Sequence, residues 1–182
     1  MMRPFRQGWV HSFAVIAVLT GVLAAVPEAS ASDNPVSPAP QSMEQLVRMS
    51  AADLSALYAT SPAASVPSGF VPGRAIKNPG SRFTATNARA TGLLWKGKIF
   101  RDDGTMINRL GGGLKAIPAD VYVGESLVDG QPSLIFDYSR SKLWPDVRDE
   151  VRDVSPGLYL GIMYKGKAQP KQEMFFTLDA RK

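Results

Sequence analysis

The side chains that could perform acid–base or ion-pair chemistry are carboxylates, arginines and tyrosines in the second half of the chain. Asp137 and Glu150 are the candidate catalytic carboxylates, because two carboxyl groups can divide the roles of acid and base when burial raises the pKa of one of them. Arg109 could hold a substrate carbonyl beside them. Asp149 adjoins Glu150 but points to the opposite face of a strand, so these two cannot form the pair unless the strand is bulged.

Several other chemistries are excluded by composition. The chain has no cysteine and a single histidine, His11, which lies in a segment that we expect to be cleaved. Thiolate nucleophiles, disulfides, histidine-based triads and most zinc or haem sites need a thiolate or an imidazole. We therefore expect no metal site and no cofactor.

Strand alternation suggests how the polar groups are oriented. In the segment 149–153, Glu150 and Arg152 share one face, and Asp149, Val151 and Asp153 share the other. If Glu150 and Arg152 point into a barrel, they need partners, since a lone buried charge costs several kcal/mol. Arg109 and Asp137 would be suitable partners. The sequence leaves two interpretations open: a ligand-binding cluster, or a structural network of salt bridges that closes one end of the barrel.

The ligand-binding interpretation combines charged groups with aromatic residues and an amide. An arginine would fix a ligand carboxylate or carbonyl, and a tyrosine would supply a hydroxyl. The candidate ligand-binding residues are Trp95, Asn108, Arg109, Asp137, Tyr138, Glu150, Arg152 and Tyr159.

The elements that must position these side chains are predicted to be β-strands. Short β-rich segments begin at Trp95 and are separated by turn sequences such as Asp102-Asp103-Gly104, Asp129-Gly130 and Pro156-Gly157. Asp129-Gly130 is typical of a primed two-residue turn and predicts the strongest hairpin. No helix of crossover length separates the strands. We therefore expect a mainly β fold, an antiparallel up-and-down barrel of about seven or eight strands preceded by two short helices.

The chain before the barrel divides into four predicted segments. Residues 1–31 have the positive start, apolar stretch and Ala-Ser-Ala cleavage pattern of a signal peptide. Residues 32–41 form a linker rich in Pro, Ser and Ala, and residues 42–60 carry two capping sequences that predict short helices. Residues 61–82 contain many prolines and glycines and predict a loop, which leaves residues 83–182 for the barrel.

The predicted signal peptide sets the expected location and the excluded partners. Cleavage after Ala31 would give a secreted or periplasmic protein without an integral membrane span. The 21 basic and 16 acidic residues are intermixed, and no basic block follows the pattern of a phosphate backbone. We expect no nucleic-acid partner, and oligomeric state is not predicted.

Six short motifs follow one another along the predicted barrel: Trp95-Lys-Gly-Lys-Ile-Phe100, Asn108-Arg109, Asp129-Gly130, Asp137-Tyr138-Ser139, Arg148-Asp149-Glu150-Val-Arg152 and Pro156-Gly-Leu-Tyr-Leu-Gly161. In combination they resemble those of a largely uncharacterised family of bacterial proteins, and the resemblance, which covers about Pro72 to Tyr164, implies a lipocalin-like, calycin-type β-barrel. The family has no agreed activity to transfer.

The function expected from these observations is binding of a small apolar or amphipathic molecule in a barrel cavity. An eight-stranded barrel is just wide enough either to be filled by side chains or to hold one small ligand. The alternatives are a barrel enzyme that uses Asp137, Glu150 and Arg109, and an envelope-associated structural or interaction domain.

Overall fold

The structure is a computed structural model, and it describes residues 39–181. The predicted signal peptide and the linker up to residue 38 lie outside the described residues. Within the described part of the chain, no helix is long and apolar enough to cross a membrane.

Three helices accompany the barrel: α1 (Met43–Arg48), α2 (Ala51–Thr60) and α3 (Thr84–Leu94). The first two begin where the capping sequences predict. Ser42 Oγ accepts a hydrogen bond from Gln45 N (3.2 Å), and Ser50 Oγ accepts one from Asp53 N (3.1 Å). Each cap satisfies a backbone donor that has no partner within the helix.

Eight strands form a closed antiparallel barrel in which each strand pairs with the next and the last pairs with the first. A one-turn 3-10 helix, Gly111–Gly113, separates the third and fourth strands. This confirms the predicted mainly β, up-and-down architecture. The strands are β1 (Gly69–Ile76), β2 (Trp95–Phe100), β3 (Thr105–Leu110), β4 (Lys115–Glu125), β5 (Pro132–Asp137), β6 (Val147–Ser155), β7 (Leu158–Lys165) and β8 (Lys171–Asp179).

The strand that closes the barrel, β1, lies in the segment that the sequence predicts as loop, so that prediction is wrong for Gly69–Ile76. Residues 69–72 pair with β2, and residues 73–76 pair with β8. Pro72, which has no backbone N–H, is the last residue paired with β2 before the strand changes partner. The position without a backbone N–H is therefore the one at which β1 changes its hydrogen-bonding partner from β2 to β8, and the strand tolerates a proline there.

A second difference concerns the hairpin of β4 and β5. The hairpin is present, but residues 126–131 form a six-residue loop between the strands instead of a two-residue primed turn. Asp129 accepts a hydrogen bond from Gln131 N (3.0 Å) within this loop and also binds Arg152. The carboxylate of Asp129 is thus used as an ion-pair partner as well as a turn former.

Two apolar clusters stabilise the fold. One lies in the barrel interior and includes Met106, Phe136 and Phe176. The other lies between the helices and the outer face of the sheet, where Leu54 of α2 joins Leu160 of β7. Part of the sheet is therefore buried on both faces, and this determines where several polar residues lie.

Candidate functional site

A cavity of about 550 Å³ lies at the end of the barrel where β2 begins and β3 ends. Its walls are mainly apolar and aromatic, and a few polar groups lie among them. The lining residues are Ala75, Lys77, Thr91, Leu94, Trp95, Lys98, Asn108, Leu110, Gly111, Ile117, Tyr138, Trp144, Asp149, Met163, Met174 and Phe176.

A fully buried lysine is at the centre of the polar groups. Lys98 Nζ donates hydrogen bonds to Asn108 Oδ1 (3.2 Å), Tyr138 Oη (2.6 Å) and Asp149 Oδ2 (2.9 Å). An ammonium group has three donors, so all of them are used. Aromatic rings surround the same nitrogen, with ring centroids of Trp95, Phe136, Tyr138 and Phe176 at 5.0–5.5 Å. These rings add favourable cation–π contacts to the ion pair.

The neutral polar groups around Lys98 are also saturated. Asn108 Oδ1 accepts a second hydrogen bond from Trp95 Nε1 (2.9 Å), while Asn108 Nδ2 donates to Ile117 O (3.0 Å) and to Tyr138 Oη (3.3 Å). Tyr138 Oη in turn donates to Asp149 Oδ2 (2.9 Å). The network thus holds its own members in fixed orientations, which is the arrangement that a preorganised binding site requires.

One oxygen at the site has no partner. Both protein hydrogen bonds to the Asp149 carboxylate go to Oδ2, and none of the described residues donates to Oδ1. Because Asp149 lines the cavity, this oxygen can accept a hydrogen bond from a bound molecule. The chemical preference of the site is therefore for a ligand group that donates a hydrogen bond.

Burial shifts the pKa of two members of the network in opposite directions. Desolvation lowers the pKa of Lys98 from its usual value, and the neighbouring Asp149 carboxylate partly offsets this. Desolvation raises the pKa of Tyr138 well above its usual value, and the Asp149 charge adds to that effect. Tyr138 therefore keeps its proton and remains a donor to Asp149 throughout the neutral range.

A β-bulge directs Lys98 into the barrel. Trp95 pairs with Leu110 and Gly97 pairs with Arg109, so Lys96 is an extra residue on β2. Gly97 has φ +136°, and a Cβ there would lie 2.1 Å from Val71 O, so only glycine fits. Because the bulge changes the alternation, Trp95 and Lys98 both line the cavity while Lys96 stays exposed.

Of the candidate residues predicted from sequence, Trp95, Asn108 and Tyr138 line the cavity. Tyr159 packs in the apolar cluster of the barrel interior, and burial raises its pKa. Lys98 and Asp149 are site residues that the sequence did not predict; Asp149 was considered only as a residue that cannot pair with Glu150. The glycine between two lysines in Trp95-Lys-Gly-Lys was the signal available for a bulge.

The predicted cluster of Arg109, Asp137, Glu150 and Arg152 does not form. Arg109 follows the inward Asn108 and so lies on the outer face, where its guanidinium stacks on Phe70 at 4.6 Å. Asp137 likewise precedes the inward Tyr138 and accepts a hydrogen bond from Ser139 N (2.8 Å). Arg109, Asp137 and Glu150 thus lie on the outer face of the sheet, and no hydrogen bond or ion pair of the described residues joins them to one another, so they do not make up a catalytic group in the cavity.

Glu150 and Arg152 do share a face, as predicted, but it is the outer face. Glu150 is fully buried there, and accepts hydrogen bonds from Ser126 Oγ (2.7 Å), Leu127 N (3.0 Å) and Arg148 Nε (2.9 Å). All three donors are protein groups. Glu150 therefore holds the β4–β5 loop against the sheet.

Arg152 joins α2 and the β4–β5 loop to the barrel. It is 1% exposed, and its guanidinium forms a bidentate ion pair with Asp129, in which Nη2 donates to Oδ1 (2.6 Å) and Nη1 donates to Oδ2 (2.8 Å). It also donates to Tyr58 O (3.0 Å), which accepts a second hydrogen bond from Ser61 N, and to Ala59 O (3.3 Å), both at the C-terminal end of α2. The sequence left two interpretations open, a ligand-binding cluster and a structural network of salt bridges. Glu150 and Arg152 belong to a structural network.

Tyrosine burial predicts loss of stability at high pH. Burial raises the pKa of all five tyrosines, Tyr58, Tyr122, Tyr138, Tyr159 and Tyr164, so the folded protein keeps protons that the unfolded chain releases above about pH 10. Their contribution to stability is complete below that pH and is lost as the pH rises towards the raised values. Lys98 acts in the opposite sense, but its contribution stops changing above its unfolded pKa of about 10.5, whereas the tyrosines act from about pH 10 upwards. Urea unfolding at rising pH should show this decline; phenolate absorbance of the folded protein that titrates as in free tyrosine would contradict it.

Comparisons with known proteins provide no assignment. No family model matches this chain, and no curated protein matches it. The chain is similar to a solved structure described as the crystal structure of a protein from Thermomonospora curvata, with 20% identity and a TM-score of 0.48 over 74% of this chain and 90% of that one. Nothing about function follows from a likeness at that level. The resemblance to the lipocalin-like family stays a prediction from its motifs.

Proposed function

We propose that this protein binds a small apolar or amphipathic molecule in the barrel cavity, with a hydrogen-bond donor of the ligand on Asp149 Oδ1. The observation that carries the proposal is an open, mainly apolar cavity lined by the Asp149 carboxylate, of which none of the described residues engages Oδ1, beside the saturated network around Lys98. Binding sites for small molecules are typically apolar hollows of about 300–1,000 Å³ with a few polar groups that fix orientation. The cavity has both properties.

The apolar walls of the cavity favour a ligand with a large apolar part. Trp95, Trp144, Met163, Met174 and Phe176 provide a wide and partly adaptable surface, because thioether side chains adjust to irregular shapes. Trp95 packs edge-on against Phe176 with ring centroids 6.0 Å apart, so this wall is fixed. An alkyl chain or a ring system would be desolvated against these side chains.

The polar groups of the cavity determine which polar group of the ligand can bind. At the inner end of the cavity, a carboxylate would meet the negative charge of Asp149 and would find the donors of Lys98, Trp95 and Asn108 already engaged, while the other lining lysine, Lys77, is exposed at the mouth. A hydroxyl or an amino group would complete the coordination of Asp149 Oδ1. We therefore propose an alcohol or amine class of ligand over a fatty acid. This replaces the expectation that Arg109 or Arg152 binds a ligand carboxylate.

Export is part of the proposal. It rests on the positive start, apolar stretch and Ala-Ser-Ala pattern of residues 1–31. An exported binding protein would encounter apolar molecules in the envelope or the medium.

The proposal predicts that a bulky side chain at the cavity wall abolishes binding. Thr91 lines the cavity from α3, whereas its neighbour Ala90 is exposed and points away from it. Thr91→Trp should weaken binding of decan-1-ol at least about tenfold, since the indole would occupy ligand volume. Ala90→Trp is the matched control and should bind as the wild type does. Isothermal titration calorimetry with decan-1-ol measures both.

Two results would contradict the proposal. Equal binding of decan-1-ol by Thr91→Trp and the wild type would show that the ligand lies elsewhere. Tighter binding of decanoate than of decan-1-ol would show that Asp149 does not hold the polar end.

A further inference from the structure

The mouth of the cavity is surrounded by exposed apolar side chains. Leu94 and Trp144 line the cavity and are 73% and 38% exposed. Leu93 and Leu143 directly adjoin them in sequence, and Leu114 follows the Gly111–Gly113 turn at the same end of the barrel; these are 60–70% exposed. Five large apolar residues exposed around one opening are unusual on a soluble surface and indicate a contact with a partner.

The charges at this end of the barrel identify the kind of partner. In an up-and-down barrel, alternate connections lie at the same end, so the connections 77–94, 111–114, 138–146 and 166–170 all surround the mouth. These segments carry one acidic residue, Asp146, and six basic residues: Lys77, Arg82, Arg89, Arg140, Lys142 and Lys167. Of these six, Arg140 forms an ion pair with Asp120 and lines a surface pocket with Arg101 and Asp103, so five basic residues remain at the mouth.

The opposite end has the reverse charge. The connections 101–104, 126–131 and 156–157 contain three acidic residues, Asp102, Asp103 and Asp129, and one basic residue, Arg101. Among the described connections between strands, the net positive charge therefore lies around the mouth, where the five exposed apolar residues named above also lie.

We propose that the mouth end docks on an anionic lipid bilayer. Lysines and arginines near a negatively charged membrane surface each contribute about 1 kcal/mol of attraction, while leucine and tryptophan side chains enter the boundary between headgroups and acyl chains. The combination of basic charge with a ring of apolar side chains fits that boundary and does not fit an acidic but wholly polar surface. Where the cavity holds the ligand proposed above, docking would let that ligand pass between bilayer and barrel without crossing water.

The test measures sedimentation of the full chain with vesicles and uses matched pairs of variants. Vesicles of phosphatidylcholine with one quarter phosphatidylglycerol should bind the protein, and vesicles of phosphatidylcholine alone should bind it much less. Lys142→Glu at the mouth and Arg101→Glu at the opposite end make the same change in net charge at exposed positions. Lys142→Glu should lower the partition coefficient on the order of tenfold, and Arg101→Glu should leave it nearly unchanged.

A second pair tests the apolar ring. Leu143→Ser at the mouth should lower the partition coefficient about fivefold, whereas Leu127→Ser, an exposed leucine at the opposite end, should not. All variants share the same N-terminal segment, so any contribution from it is common to them.

Three outcomes would overturn the proposal. The first is binding that does not depend on anionic lipid. The second is an equal loss in both members of either pair, which would mean that the mouth has no special role. The third is a wild-type dimer that Leu143→Ser dissociates, which would assign the apolar ring to a second copy of the chain. Binding of decan-1-ol is measured in the same samples, so a failure to dock is distinguishable from a failure of the cavity to bind.

Discussion

Replacing Lys98 with methionine is expected to lower the free energy of unfolding by about 3–5 kcal/mol, the range found when one partner of a buried ion pair is removed. The variant leaves the Asp149 carboxylate without its cation in the barrel interior, where 4% of Asp149 is exposed. It also removes a donor from Asn108 and from Tyr138. Urea denaturation measures the change.

The control for this variant is Lys96→Met, two residues away on the same strand. Lys96 is exposed, so its loss should cost less than about 1 kcal/mol. The double variant Lys98→Met, Asp149→Leu removes both charges and should recover much of the stability lost in Lys98→Met, because apolar replacement of a whole buried pair is often neutral. Additive losses in the double variant would show that the two side chains do not act as a pair.

Replacing Arg152 with methionine should have an effect of similar size, about 3 kcal/mol or more, for a different reason. Arg152 lies outside the barrel cavity, and it joins the end of α2 to the β4–β5 loop through Tyr58 O and Asp129. Its loss removes the cation that pairs with the Asp129 carboxylate and a donor to Tyr58 O, so α2 and the β4–β5 loop are no longer joined through this side chain. Urea denaturation of this variant should show a lowered midpoint, and binding of decan-1-ol by the folded fraction should be unchanged.

Arg109→Met is the matched control for Arg152→Met. Arg109 packs on the exposed ring of Phe70 at the barrel surface, so its replacement should cost less than about 1 kcal/mol. Equal losses of stability in the two variants would contradict the assignment of Arg152 as the buried residue that joins α2 and the β4–β5 loop to the barrel, and of Arg109 as a surface residue.

Local patterns predicted the strands and the sharing of faces well. The alternation in β5 places Leu134, Phe136 and Tyr138 on one face, and the structure has all three in the barrel interior. Alternation alone does not say which face is interior. On β6 the outer face is also buried, by α2 and the β4–β5 loop, so Glu150 and Arg152 are buried on the side of the sheet that the ligand-binding interpretation did not consider.

The rest of the site depends on contacts that the sequence pattern does not contain. Strict alternation from an inward Trp95 would place Lys98 outside, and the bulge at Lys96 brings it inside instead. The bulge is fixed by the close approach of Gly97 to Val71 O on β1, a strand that was itself predicted as loop. One error in the strand assignment therefore concealed both the closure of the barrel and the central residue of the site.

The most direct test of the cavity uses the methyl groups of methionine as reporters. Met163 and Met174 line the cavity, whereas Met43 and Met49 pack with the helices outside the barrel. Titration of decan-1-ol into protein carrying 13C-labelled methionine methyl groups should shift the signals of Met163 and Met174 saturably and leave those of Met43 and Met49 in place. Unmoved signals of Met163 and Met174 at saturating alcohol, or equal movement of all four, would contradict the proposal that the ligand binds inside the barrel.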